Sequence, residues 1–267
     1  MPGMLVARLE RRHLQPGLRA LALLAALLGS APALPAAQTI TVAAEDDWAP
    51  YSFVAPGQTQ PQGLAVDIVR EAFATQGIEV RFVGVPFTRY MHLARTGQVV
   101  GCFNATQVPD LRDAYIWHVT PMFHEELAIF GRKGSPRTDL GLADLEGKRV
   151  GFTLGYTYPT AFRQNPRVEK VAAKGDQQLL ELLLAGRVDY ILANTAPARL
   201  RLSTQPQMRA AIERVGVISQ DGFWLAFTRA DPQGEQLAAR FEQGLAALRA
   251  SGRLAAMQAA LHKRLGS

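Results

Sequence analysis

The chain has 267 residues, 48% of them hydrophobic, which is enough for one large core or two modest ones. Charged residues at 19% and aromatics at 8% exclude a disordered chain. The formal net charge is +6, but residues 38–267 carry 25 basic and 22 acidic groups, a net of +3 with no basic stripe among aromatics, which excludes nucleic acid as a partner.

From the N-terminus, Arg8, Arg11, Arg12 and Arg19 precede an apolar run over 20–28, followed by small residues and prolines to Ala37. This is the pattern of a secretory signal peptide over 1–37, with cleavage after Ala33, Ala36 or Ala37. The run falls short of the roughly 20 residues needed to cross a hydrocarbon core of about 30 Å, which argues against the competing reading of a retained anchor. Cys102 is the only cysteine, so no internal disulfide forms and none stands near the cleavage region to take a lipid. A periplasmic monomer is expected.

The mature part begins with a β-branched run over 39–44, read as a strand. Leu64, Ile68, Val69, Ala72 and Phe73 recur at helical spacing over 63–74, and Gly77 ends that helix. A strand over 79–83, a helix over 88–96 stopped by Gly97 and a buried strand over 99–103 follow. The same order restarts with a strand over 148–152, a helix from about Pro159, a strand over 168–172, a helix over 176–185 capped by Asp176, and a strand over 190–193. The tail over 233–265 reads as two amphipathic helices broken at Ser251 and Gly252. Alternating strands and helices give an α/β class with mainly parallel sheets.

Residues 93–106 and 182–195 share one grammar: helix end, glycine, buried strand, polar residues closing on Thr106 and Thr195. The match favours two similar lobes over a chance likeness. Ligands in parallel sheets bind beyond the carboxyl ends of the strands. Asn104, Thr106, Asn194 and Thr195 fall at such ends, and two facing lobes would make a cleft there. His92, His118 and His124 lack metal-ligand spacing, and neither a phosphate loop nor a nucleophile elbow is present, so no metal or cofactor is expected.

At this point the chain resembles the amino-acid-type extracellular solute-binding proteins of ABC importers, family 3, over residues 39–265. The likeness is carried by the run over 45–53, the helix opening at 63–68, Arg112 nine residues before Pro121, the stretches over 144–151 and 184–190, and the closing helices over 245–257. It implies a two-lobed fold with lobe 1 at 38–124 plus 223–267, lobe 2 at 129–219, and hinge crossings near 125–128 and 220–223. It also implies a small-molecule ligand, an amino acid or related carboxylate, and an ABC permease as membrane partner.

The resemblance assigns Arg112 to gripping a ligand carboxylate, for which a planar guanidinium fork is suited; the competing reading is a surface arginine paired with Asp110 or Asp113. Trp48, Tyr51 and Phe87 match apolar walls, against ordinary core packing. Asn104 and Thr106 match lobe-1 polar contacts, although the stretch from Thr106 to Arg112 is about one residue longer than the family pattern. Gly155, Tyr156 and Thr157 match the second-lobe anion loop, with Pro159 opening its helix. Asn194 stands where amino-acid binders carry an aspartate, so either Glu45 supplies the anion for a ligand amine or the ligand has none. A non-catalytic binder is expected. The alternatives are a periplasmic enzyme on the same fold, like prephenate or arogenate dehydratases, and a ligand-sensing module without a transporter.

Overall fold

The structure, a computed structural model, describes residues 38–134 and 137–265; the signal segment expected at 1–37 lies outside the described residues. The chain runs β1 (Gln38–Glu45), a short hairpin of β2 (Asp47–Trp48) and β3 (Ser52–Phe53), α1 (Leu64–Ala74), β4 (Ile78–Val85), α2 (Phe87–Arg95), β5 (Gly101–Ala105), α3 (Pro109–Arg112) and β6 (Tyr115–Trp117). It continues through β7 (Phe123–Arg132), β8 (Arg149–Thr153), α4 (Thr160–Arg163), β9 (Glu169–Ala173), α5 (Asp176–Leu184), β10 (Tyr190–Asn194), α6 (Thr195–Ser203) and α7 (Pro206–Ala211). The long β11 (Ile212–Thr228) returns, and α8 (Gly234–Ala250) and α9 (Arg253–Leu265) close the chain.

The main sheet has the order β4-β1-β5-β11-β7-β10-β8-β9, with β6 beside β11. β4, β1 and β5 are mutually parallel, as are β9, β8 and β10. The two parallel triplets are joined through antiparallel β7 and β11, which sequence reading left unassigned. Asp221 pairs with Glu125 and Phe223 with Phe123, so the expected hinge crossings are neighbouring strands of one ladder. Register shifts in β11 between Arg214 and Gly216 and between Val217 and Ser219 add the local twist that bulges bring.

The cores follow from sequence patterning. On α1, Leu64, Ala65, Ile68, Val69, Ala72 and Phe73 are all buried. They join Ile40, Val42, Phe227 and Phe241 in one cluster, while Phe130, Leu179, Leu183 and Ile191 anchor another around β10. The repeat at 93–106 and 182–195 has a physical basis. Gly97 and Gly186 adopt φ +73° and +67°. After each, the next N–H folds back onto the helix, Gln98 to the Leu93 carbonyl at 2.9 Å and Arg187 to that of Leu182 at 3.0 Å. That closure is the glycine-terminated helix end, used twice.

Two local expectations are corrected. Because the chain turns at Gly97 before entering the sheet, the strand expected over 99–103 forms at Gly101–Ala105. Asp176 does not cap α5: Gly175 holds the cap position, and the Asp176 carboxylate instead accepts the Thr153 hydroxyl at 2.8 Å.

Candidate functional site

The carboxyl ends of β1, β5, β8 and β10 all open onto one cavity. β1 ends in Glu45, β5 delivers Asn104 and Thr106, the turn after β8 delivers Tyr156 and Thr157, and β10 ends in Asn194. Trp48 and Phe87 line it too, with Leu127 from β7 and Asp221 and Phe223 from β11. This is where parallel strands present ligand-binding groups, because the loops leaving them converge there.

Its floor is aromatic. Trp48 lies 4.7 Å from Tyr51 and 5.0 Å from Phe223, and Tyr51 stacks on Phe123 at 4.5 Å with the rings almost parallel. Buried acids are set among these rings. Glu45, 4% exposed, accepts the Tyr156 hydroxyl. Glu125 accepts the Tyr51 hydroxyl and the Ala196 backbone N–H, the latter at 2.8 Å. Burial holds both carboxyls above the usual range; for Glu45, Asp176, Asp47 and Asp46 push the same way, while the tyrosine hydrogen bond opposes. Asp176, behind the loop, is raised by burial as well.

The cavity also holds polar atoms without partners among the described residues: the Trp48 indole N–H and both side-chain amide atoms of Asn104, which is 2% exposed. Asn104 adopts φ +62°, a left-handed conformation that asparagine tolerates better than most residues. Buried polar groups normally find partners, so these atoms mark a surface built to meet one.

Several polar contacts join the β1 side to the β8 side. The Thr106 hydroxyl donates to Thr157 at 2.8 Å. Arg163 pairs with Asp110 and Arg201 with Asp47, each at 2.7 Å. The Phe87 and Tyr156 rings lie 4.9 Å apart. The inner cavity is consequently narrow, about 20 Å³, room for one or two waters.

Of the residues singled out from sequence, Glu45, Trp48, Phe87, Asn104, Thr106, Tyr156, Thr157 and Asn194 meet at this cavity. Tyr51 sits one layer behind, under Trp48. Gly155 lines an adjoining outer pocket with Phe87, Met91 and Tyr158. The helix expected to follow that loop is a single turn, Thr160–Arg163, with Pro159 at its cap. Arg112 ends α3 on the exposed surface and does not line the cavity; its carbonyl accepts the Trp117 indole N–H at 3.0 Å. Leu127, Asp221 and Phe223 were not foreseen as lining residues. Their only signal was a place in or beside the expected crossings, and pairing in β7 and β11 is what aims them inward.

A wider cleft of about 610 Å³ lies outside α6 and α7, but it is lined by exposed arginines and holds none of these buried acids or unpartnered atoms. Among the described residues no group of three or more His, Cys, Asp or Glu is disposed to hold a metal ion, and no helix is long and apolar enough to cross a membrane.

Comparison with known proteins identifies the family and the fold. An Escherichia coli (strain K12) protein, ABC transporter arginine-binding protein 1, is 24% identical over 231 residues, covering 86% of this chain and 93% of that one. The crystal structure of a histidine kinase sensor domain with similarity to periplasmic binding proteins matches with a TM-score of 0.73 at 25% identity, over 85% of this chain and 97% of that one. An ancestral arginine-binding protein bound to arginine matches with a TM-score of 0.71 at 20% identity, over 86% and 98% of the two chains. The fold is that of periplasmic binding proteins, α/β with parallel strands flanked by helices. Residues 40–262 match the bacterial extracellular solute-binding proteins, family 3, and the chain belongs to that family.

Proposed function

We propose that this protein is an exported, periplasmic, non-catalytic solute-binding protein. Its two lobes, residues 38–124 with 223–267 and residues 129–219, close by hinge motion on a small cationic solute of the amino-acid class. The observation that carries the reading is Glu45: a buried carboxyl at the carboxyl end of β1, held by a phenol and facing a cavity to which none of the described lysines or arginines contributes. A desolvated carboxylate is costly without a positive partner. An ammonium or guanidinium group from a solute supplies one, and the Trp48 and Phe87 rings can pack against its stem. Glu45 thereby takes over the anionic role that Asn194 cannot fill. Arginine binding by the relatives supports the same class.

Delivery to an ABC permease is the reading its family supports, with the protein acting as a monomer. The likeness to a histidine kinase sensor domain supports a second reading, a binding module that reports to a sensor. The test is isothermal titration of the purified mature protein with L-arginine and L-lysine against L-glutamate and succinate. Saturable binding of a cation that Glu45→Gln abolishes is the expected result. Preference for the dicarboxylates, or cation binding indifferent to Glu45→Gln, overturns the assignment.

A further inference from the structure

Phe87, Tyr156 and Thr157 form the shared wall between the inner cavity and the pocket outside it. The inner space, about 20 Å³, is far below the roughly 300–1,000 Å³ of small-molecule sites. The outer pocket measures about 310 Å³ and is mostly apolar, with Met91, Val108, Leu111 and Tyr158 in its lining. What divides the two is chiefly the Tyr156 ring, which packs on Phe87 and sends its hydroxyl to Glu45.

The backbone brings this tyrosine in on a tight turn. Gly155 has φ +86° and passes so near α2 that a Cβ would stand 2.4 Å from Thr88 Cγ2. The bland reading makes Tyr156 a core residue tying the two halves together. Its hydroxyl partner argues otherwise. Of the buried tyrosines elsewhere, Tyr115 bonds the backbone at the Met91 carbonyl and Tyr158 at the Thr153 N–H, while Tyr51 bonds Glu125, a carboxyl outside the cavity lining. Tyr156 instead holds Glu45, the buried carboxyl of the cavity wall; the other acid there, Asp221, is less buried and accepts the Ser219 hydroxyl.

We propose that Tyr156 is a displaceable occupant of the solute site. Its hydroxyl holds Glu45 where a solute's cationic group would bind, and when the ring swings aside the inner cavity opens into the outer pocket. The joined space has an acid at its closed end and an apolar mouth, so it selects a monocation carrying an apolar segment. This rests on the reading above that Glu45 receives a cationic solute. A tyrosine that served the solute as a direct contact would act with the opposite sign on affinity.

The experiment is calorimetric titration of the mature protein at pH 7.5 with 4-phenylbutylamine, n-butylamine and L-arginine, using the wild type, Tyr156→Phe and Glu45→Gln. Tyr156→Phe keeps the ring and removes only the hydroxyl; Tyr156→Leu serves as the second variant if the first fails to fold. The wild type should bind 4-phenylbutylamine about tenfold or more tighter than n-butylamine, because only the former fills the outer pocket. Tyr156→Phe should tighten both by about tenfold, since no hydrogen bond to a charged group has to be broken first. Binding lost in Glu45→Gln but weakened or unchanged in Tyr156→Phe overturns this inference and leaves the cationic-solute reading standing. Binding of none of the three cations by the wild type or Tyr156→Phe overturns both.

Discussion

Replacing Glu45 with glutamine should raise the stability of the protein at neutral and alkaline pH. The side chain is 4% exposed, and its partner is the neutral Tyr156 hydroxyl. A carboxylate left in such a place with a neutral donor costs about 2–3 kcal/mol relative to an amide of the same shape. For a chain of this size, each kcal/mol corresponds to about 2–4 °C in Tm. The Glu45→Gln protein should therefore melt about 4–12 °C above the wild type at pH 8. The pH dependence gives the reasoning its sign. Burial raises the folded-state pKa of Glu45 above the ordinary value of 4.5, so the folded protein holds that proton more tightly than the unfolded chain. The wild type consequently gains stability as pH falls from above the raised folded value toward 4.5, and loses it again as pH rises through the folded value. Calorimetric melts of both proteins at pH 8 and pH 4.5 measure this directly. A variant less stable than the wild type at pH 8, or a gap that does not shrink on acidification, would show that Glu45 is well solvated and refute the account of the site.

Two further substitutions separate parts of the structure. Arg112→Ala removes an exposed side chain at the end of α3, outside the cavity, so solute affinity should change by no more than about fivefold, the scale of an exposed charge. A loss of a hundredfold or so in the same titration would restore the carboxylate clamp that the family resemblance implies. Gly244→Ala on α8 would place a Cβ 2.1 Å from the Ala72 carbonyl oxygen of α1. Alanine ordinarily gains about 1 kcal/mol over glycine inside a helix; overpacking against a neighbouring backbone should reverse that, with a net loss of about 1–3 kcal/mol in thermal or urea melts.

Much of the fold was legible because its signals are local. Apolar spacing on α1 and α5, and the glycines that end α1, α2 and α5, identify those helices without tertiary information. β7 and β11 escaped because neither alternates cleanly. β7 carries His124, Glu125 and Glu126 ahead of its short apolar stretch, while β11 carries bulges and passes from one half of the sheet to the other. Asp176 was misread because a capping carboxylate and a buried carboxylate accepting a threonine hydroxyl look alike in sequence, and only the Thr153 contact tells them apart. For the site, Asn104, Thr106 and Asn194 were legible by rule as strand-end positions, whereas Glu45 was reached only through the family resemblance. Arg112 was placed by its distance from Pro121 alone. That distance does not fix which way the single turn of α3 faces.

The contacts between the two halves constrain how a solute can act. Arg163 with Asp110 and Arg201 with Asp47 are ion pairs whose acids are 64% and 67% exposed, so each is worth about 1 kcal/mol or less. The Tyr156–Glu45 contact, by contrast, ends on a buried carboxyl in the cavity wall. A solute that only paired with Glu45 would expel Tyr156 and give the second half nothing in exchange, which favours separation of the halves. A solute closes the protein only if it also engages the turn at 155–157 or the β10 end at Asn194, because an equilibrium moves by the difference in contacts between its two states. The same cation can therefore be an opening or a closing ligand depending on the rest of its structure. If the protein works as proposed, recognition of the cationic group by Glu45 would set affinity, whereas the portion of the solute that replaces the tyrosine ring against Phe87 and Thr157 would decide whether binding is productive.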